Sequence, residues 1–443
     1  MKKNVTIVGA GLVGSLLSLY MTKRGYSVNI FERRKDLRSE VITAGKSINL
    51  ALSERGWSSL SRVGVDDEVK KIAIPMYKRI MHDVDGNLTE QPYGKPDQAI
   101  YSVSRVELNI LLMKLAEERG AKLHFNEKCT DANLEEGKAV FQNTSNNIHK
   151  TVSSDLLIGA DGAFSAIRKK MISQFDHKYE YNEIDHDYKE LLIPAGDNGD
   201  YLLDENALHI WPRGEFMVIA LANLDGSFTC TLFAPKKGKN SFQSLNTKSD
   251  VEEYFNTLFP DFAALVPDLY SQWSSNPTST LAIIRTFPWH VGGSSILIGD
   301  SAHATVPFYG QGMNAGFEDC RVFDDLLNKY DDMQECLKNY TKTRKPDGDG
   351  LQDLSLHNFI VMRDKTADPS FLLQKKIESK FANLFPEKWI PLYSMVSFTT
   401  IPYSKAWEIG MRQEALMQNI MSMPDIEKTW NSDKIMQKMH DLL

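Results

Sequence analysis

Three closely spaced glycines, Gly9-Ala10-Gly11-Leu12-Val13-Gly14, form a loop able to cradle a pyrophosphate. The first glycine of such a run makes a tight turn, the second lets backbone approach the phosphates, and the third lets a helix pack on its strand. Glu32 follows about 20 residues on, where a carboxylate takes a pair of ribose hydroxyls. This chemistry needs a strand before the loop and a helix after it. Val5 to Val8 reads as the strand, and Leu16, Leu17, Leu19 and Tyr20 carry the helix to a stop at Gly25. A second strand, Val28 to Phe31, delivers Glu32. The whole reads as a βαβ unit with a bound dinucleotide at the helix N-terminus. The competing reading is a glycine-rich turn in another kind of α/β protein.

Two further strands end in an acid and a glycine. Asp155 to Gly162 closes on Asp161-Gly162, and Ser295 to Asp300 closes on Gly299-Asp300. Such strand tips are where α/β folds bind ligands. A helix is expected from Arg105, with Ser104 as its N-cap, Glu107 in its first turn and Leu108, Leu111, Leu112 and Leu115 as its buried stripe. Leu208-His209-Ile210-Trp211 and Phe216 to Leu221 then read as strands. Asn223-Leu224-Asp225-Gly226 turns into a third, Phe228 to Phe233, which predicts an antiparallel sheet. From about Leu356 the pattern is helical, with Phe359, Met362, Leu372, Leu373, Ile377 and Phe381 as core candidates.

The chain has 443 residues, enough for two or three modules. A net charge of −7 argues against a nucleic-acid partner, because phosphate binding needs a basic face. The short run Lys236-Lys237-Gly238-Lys239 reads as solvated loop. No apolar run reaches the roughly 18 residues of a membrane span. The N-terminus passes directly into a strand, so no signal peptide is expected. Cys129, Cys230, Cys320 and Cys336 lack metal spacing and read as reduced thiols, consistent with a cytoplasmic protein. Oligomeric state is left open.

The ordered set Gly9-x-Gly11-x-x-Gly14, Asp161-Gly162 and Gly299-Asp300 resembles the single-component flavin-dependent aromatic hydroxylases of the para-hydroxybenzoate hydroxylase type. The resemblance covers roughly residues 1 to 350. Longer strings are similar to the branch of that family acting on L-kynurenine: Ser47-Ile48-Asn49-Leu50-Ala51-Leu52-Ser53, Pro92-Tyr93-Gly94, Leu208 to Arg213, Pro307 to Cys320, and Ile390-Pro391-Leu392-Tyr393. The resemblance implies an α/β fold in three parts. A Rossmann-like FAD-binding domain would be built from residues 1–75, 102–180 and 281–355. An antiparallel-sheet substrate domain would use 76–101 and 181–280, with a helical region over 356–443. Eukaryotic members of that branch end in a hydrophobic anchor. Here Met411 to Leu443 mixes Met, Leu and Ile with charged residues and reads as one or two amphipathic helices packed on the body. Membrane-surface binding is the lesser alternative, since the polar face is not strongly basic.

By this resemblance the chain would hold FAD non-covalently. It would be reduced by NADPH docking transiently and would hydroxylate L-kynurenine with O2 through a flavin hydroperoxide. The implied cofactor residues are Gly9, Gly11, Gly14, Glu32, Arg33, Ala51, Arg105, Asp161, Asp300, Gly312, Met313 and Asn314. The implied substrate residues are Arg79 and Tyr93 for the carboxylate, with Asn358 and Tyr393 also facing the substrate. No side chain is assigned as a catalytic acid or base, because the ring amine itself supplies electrons to the carbon attacked. Without the resemblance, Arg79 and Arg105 also read as solvated basic residues, Tyr93 as a turn aromatic, Asp161 as a turn acid, and Asp300 as a helix cap with Ser301. His209 and His303 read as hydrogen-bonded structural histidines. Tyr309 reads as a pocket lining. Two alternatives stay open: a related hydroxylase with another aromatic substrate, and a flavin-binding sensor without turnover.

Overall fold

A computed structural model describes residues 3–39, 48–93, 97–364 and 368–443, without the side chains of 362–364. Ser47, Gly94 and the Met362 side chain lie outside the described residues.

The cofactor end is a six-stranded sheet in the order His290–Val291, Ser295–Leu297, Leu156–Gly159, Asn4–Val8, Ser27–Phe31 and Lys122–His124. Its inner strands are parallel, with Ile7 beside both Ile30 and Ile158. Strands buried on both faces need continuous apolar runs, and Val5, Ile7, Val28, Ile30, Leu157 and Ile158 are almost fully enclosed. The tips carrying Gly9, Asp161 and Asp300 therefore come together at one edge of one sheet. The helix Leu12–Lys23 follows Gly11, and Gly25 stands just beyond its end. The helix Arg105–Glu118 starts as expected, with Ser104 Oγ accepting from the Glu107 amide at 3.4 Å. Leu108 and Leu112 are buried on it, whereas Leu111 and Leu115 are only partly covered.

The second sheet has seven strands: Thr278–Phe287, Lys178–Ile193, Phe228–Pro235, Phe216–Ala222, Ala207–Arg213, Lys78–His82 and Leu88–Pro92. All neighbours are antiparallel except Lys78–His82 beside Ala207–Arg213. Alternate side chains of a strand face opposite sides. Val218 and Ala220 join Trp211, Phe255 and Phe262 under the helices Lys248–Leu258 and Pro260–Ala264. Ile219 and Leu221 face the other way, toward Tyr93 and Tyr393. The same alternation turns Arg79 toward the tyrosines and His82 toward Trp211.

The helical part begins earlier than the periodicity suggested. One 32-residue helix, Met333–Asp364, runs across residue 356. Pro346, Gly348 and Gly350 lie inside it and obscure its pattern, because proline and glycine are poor helix formers. The helices Pro369–Leu384, Tyr403–Met421 and Asp433–Leu442 enclose Ile377, Phe381, Met417, Ile420 and Met439. Leu372 is 43% exposed, against expectation. The buried stripe follows Leu373, Ile377 and Phe381 at four-residue spacing, and Leu372 lies about 100° off it. No helix among the described residues is long and apolar enough to cross a membrane.

Candidate functional site

The glycine loop has the shape a pyrophosphate needs. A Cβ on Gly9 would lie 2.5 Å from the Ala160 carbonyl oxygen, and one on Gly14 would lie 2.0 Å from that of Gly9. A Cβ on Gly11 would meet no atom within 4 Å. Crowding on the protein side and openness at Gly11 fit a phosphate approached by backbone. No side chain caps the helix that follows, and no acid occupies its first turn, so its amides stay available to an anion.

The acids around this loop play different parts. Glu32 is buried, and its carboxylate accepts from the Ala10 amide at 3.0 Å and from Arg34 Nε at 2.8 Å. Burial would raise its pKa, but these hydrogen bonds and the Arg34 charge hold it below the ordinary carboxylate value. An ionised carboxylate has room for further donors. Asp161 caps the helix Ala166–Gln174, accepting from the Ala166 amide at 2.6 Å. Its other oxygen is buried without a partner. Asp300 does not cap a helix, since no side chain caps the short helix Asp300–His303. The residue is exposed, and no side-chain hydrogen bond engages its carboxylate among the described residues. The protein packed around it pushes its pKa up, partly offset by the charges of His303 and Arg105. Arg33 and Arg105 are exposed, and no side-chain hydrogen bond or ion pair engages either of them among the described residues. Asn314 is wholly buried. Its amide accepts from the Ser53 N–H at 2.9 Å and donates to the carbonyls of Ala51 and Gly310 at 2.8 and 3.1 Å. What the Gly312-Met313-Asn314 turn can offer a ligand at Asn314 is therefore backbone. An open Gly11, two arginines and an Asp300 carboxylate without side-chain hydrogen bonds among the described residues, and an Asp161 oxygen unpaired among them, together fit a dinucleotide.

The second half of the site is an aromatic box around one cation. Arg79 stands on the strand Lys78–His82, and its guanidinium lies 4.2 Å from the Tyr393 ring centre and 5.1 Å from that of Tyr93. The two rings stack at 5.4 Å, Tyr309 stacks on Tyr393 at 5.8 Å, and Phe398 closes an edge. Arg79 makes no ion pair among the described residues. Its Nε and the Tyr93 hydroxyl are enclosed without hydrogen-bond partners among the described residues. Burial opposes its charge, but the phenols of Tyr393 and Tyr93 favour it, and its pKa stays raised. A buried cation without a counter-ion is a receptor for an anion, and a guanidinium suits a carboxylate. Asn358 donates to the Phe308 carbonyl at 2.7 Å, which fixes the turn carrying Tyr309. Burial raises the Tyr309 pKa, so this phenol stays protonated and lines the box.

Several residues that shape the site carried no signal in the sequence. Asn109 donates to the Ala10 carbonyl at 3.1 Å and steadies the glycine loop. Arg168 donates to the carbonyls of Ser301, at 2.9 Å, and Ala163, joining the Asp161 and Asp300 tips. A Cβ on Gly410 would lie 2.7 Å from Leu392, so glycine there admits the helix that carries Tyr393. The two histidines are structural, as expected. His209 bonds His82 at 2.9 Å and the Asp204 carbonyl at 2.9 Å, and burial lowers its pKa to about 4. His303 pairs with Asp319 at 2.6 Å. Asp319 also accepts from the Gly299 amide at 3.0 Å and from Arg344 Nε at 2.7 Å, which fixes the turn presenting Asp300.

Residues 2–355 match a family model described as an FAD binding domain. A kynurenine 3-monooxygenase of Flavobacterium psychrophilum is 48% identical over 442 residues, covering 100% of this chain and 98% of that protein. One from Dictyostelium discoideum is 40% identical over 453 residues, covering 98% and 96%. The solved structure of a 2-methyl-3-hydroxypyridine-5-carboxylic acid oxygenase superposes with a TM-score of 0.68 at 17% identity, over 84% of this chain and 95% of that one. That last likeness is one of fold.

Proposed function

The chain belongs to the kynurenine 3-monooxygenase family of FAD-dependent aromatic monooxygenases, and we propose that Arg79 and its tyrosine box receive the carboxylate of L-kynurenine. The reaction consumes L-kynurenine, O2, NADPH and a proton, and yields 3-hydroxykynurenine, NADP+ and water. FAD, when bound, carries the electron pair from NADPH and activates the oxygen. The observation that carries the substrate assignment is the half-buried Arg79 side chain, with its Nε enclosed, its guanidinium against two tyrosine rings and no counter-ion among the described residues.

The chain's own part is binding and placement. Glu32 and Asp300 would accept from cofactor sugar hydroxyls, Arg105 and the helix start after Gly11 would hold the pyrophosphate, and the turn at Gly312 would serve the flavin ring. The uncapped helix Gly312–Lys329 has no acid in its first turn, so its positive end favours an anionic reduced ring. Arg79 fixes one end of the substrate. Tyr93, Tyr309, Tyr393 and Phe398 hold water away from the reacting carbon. The ring amine donates electrons to that carbon, so positioning replaces a strong base. We propose the residue division 1–75, 102–180 and 281–355 for the cofactor and 76–101 and 181–280 for the substrate, with Tyr309, Tyr393 and Phe398 closing the substrate box from outside the latter. We also assign the protein to the cytoplasm, on its buried cysteines and the bacterial relatives.

NADPH oxidation by the purified protein should depend on kynurenine and yield a product one oxygen atom heavier. Oxidation indifferent to kynurenine, or a product of unchanged mass, would overturn the substrate assignment. Two variants test individual residues. Asp300→Ala strands sugar hydroxyls at a cost of about 1–3 kcal/mol, so dialysis should strip FAD from it sooner than from the parent. Equal retention removes Asp300 from the cofactor site. Tyr393→Phe keeps the ring over Arg79 and deletes one hydroxyl. Its kcat/KM for kynurenine should fall by roughly two- to tenfold with FAD content unchanged, and unaltered kinetics would show that only the ring matters.

A further inference from the structure

Gln311 lies one residue before the cofactor-side helix Gly312–Lys329 and is buried. Its Oε1 accepts from the Tyr403 hydroxyl at 2.9 Å and from the Ser53 hydroxyl at 3.3 Å. Its amide nitrogen makes no hydrogen bond among the described residues. Both hydroxyls meet the same end of the amide. Burial raises the Tyr403 pKa, so this phenol stays protonated and is a donor. That end of the amide therefore faces the helix Tyr403–Met421.

Tyr403 is itself held from several sides. Its ring lies under the Arg55 guanidinium, 3.9 Å from the ring centre. Arg55 is fully buried, pairs with Glu318 at 3.1 Å and donates to the carbonyls of Val396 and Ile401. The next residue, Ser404, donates to Asp347 through its amide at 3.1 Å and its hydroxyl at 2.7 Å. The turn Pro307–Tyr309 that leads to Gln311 carries Tyr309, stacked on Tyr393 of the substrate box. Gln311 therefore joins the substrate wall to the start of the cofactor helix, and its side chain is anchored to the C-terminal helices by a single phenol.

We infer that Tyr403 is a positioning residue for the hydroxylation, fixing the Gln311 amide and with it the turn between the substrate box and the cofactor helix. The inference rests on the monooxygenase reading above. Loosening that turn would misplace the substrate against the cofactor. Electrons from NADPH would then leave in a side reaction, in which NADPH, a proton and O2 give NADP+ and hydrogen peroxide.

Tyr403→Phe deletes the hydroxyl and keeps the ring beneath Arg55. FAD content should match the parent. The change that kynurenine causes in the absorption spectrum of the bound oxidised flavin should be smaller in amplitude. Hydroxylated product formed per NADPH should fall by roughly two- to tenfold, with peroxide making up the balance. Gln311→Ala should reproduce both changes, and adding Tyr403→Phe to it should change neither further, because residues acting through one contact are not additive. Parent-like coupling and spectrum in Tyr403→Phe overturn the inference, as do losses that multiply in the double variant. If Tyr403→Phe does not fold, Gln311→Ala decides, and parent-like coupling there overturns it. A parent that ignores kynurenine refutes the substrate assignment, whereas the variant-to-parent ratio bears on Tyr403 alone.

Discussion

Arg79→Met should raise the apparent KM for kynurenine by between ten- and several thousand-fold and leave FAD content unchanged. Breaking a desolvated charge pair costs about 2–5 kcal/mol, and Met keeps much of the length while removing the charge. Arg79 stands on the seven-stranded sheet, away from the glycine loop, so the cofactor should not sense the change. A kynurenine analogue lacking the carboxylate supplies the control. It should bind the parent poorly and be far less sensitive to the substitution. Equal weakening of both ligands would mean that Arg79 shapes the box without meeting the carboxylate, and no weakening of either would remove it from the site.

The second large effect is on stability. Arg344 is buried and bonds Glu318 at 2.9 Å, Asp319 at 2.7 Å and Asp347 at 3.0 Å. Arg344→Met leaves three buried carboxylates sharing fewer cations. Removing one partner from a buried ionic group costs about 3–5 kcal/mol. The urea midpoint should fall accordingly, with FAD release and loss of helix moving together. An unfolding free energy within about 1 kcal/mol of the parent would mean that the carboxylates are satisfied without Arg344. The pH dependence has a definite sign. Burial opposes ionisation of Asp319, but His303 and Arg344 hold its pKa at about 2. Its contribution is therefore complete at neutral pH and is lost as pH falls from about 4 toward 2.

The cofactor half was legible because its chemistry is local. Gly9, Gly11, Gly14 and Glu32 lie within one βαβ unit, and the Asp161 and Asp300 tips repeat the strand-then-acid pattern. The middle sheet was legible from alternation and from the turn at Asn223. Arg79 and Tyr93 stood out only by resemblance, because nothing near Lys78 announces that the guanidinium is enclosed by a tyrosine from the other end of the chain. Asn109, Arg168, Arg55 and Gly410 were missed for the same reason. Each acts on a residue remote in sequence, and periodicity reports which face is buried without naming what covers it. The long helix was recognised only from Leu356, because Pro346 and two glycines hide its first half.

The aromatic box proposed for the substrate is closed by residues far apart along the chain. Arg79 and Tyr93 leave the ribosome early, whereas Tyr393 and Phe398 emerge near the end of synthesis, together with the Val396 and Ile401 carbonyls that hold Arg55. Contacts so distant along the chain form late, because closing a long loop must precede them. A nascent chain can thus complete its glycine loop well before it has a place for an aromatic ligand. Order of synthesis delays the capacity to oxidise NADPH productively until the last helices have docked.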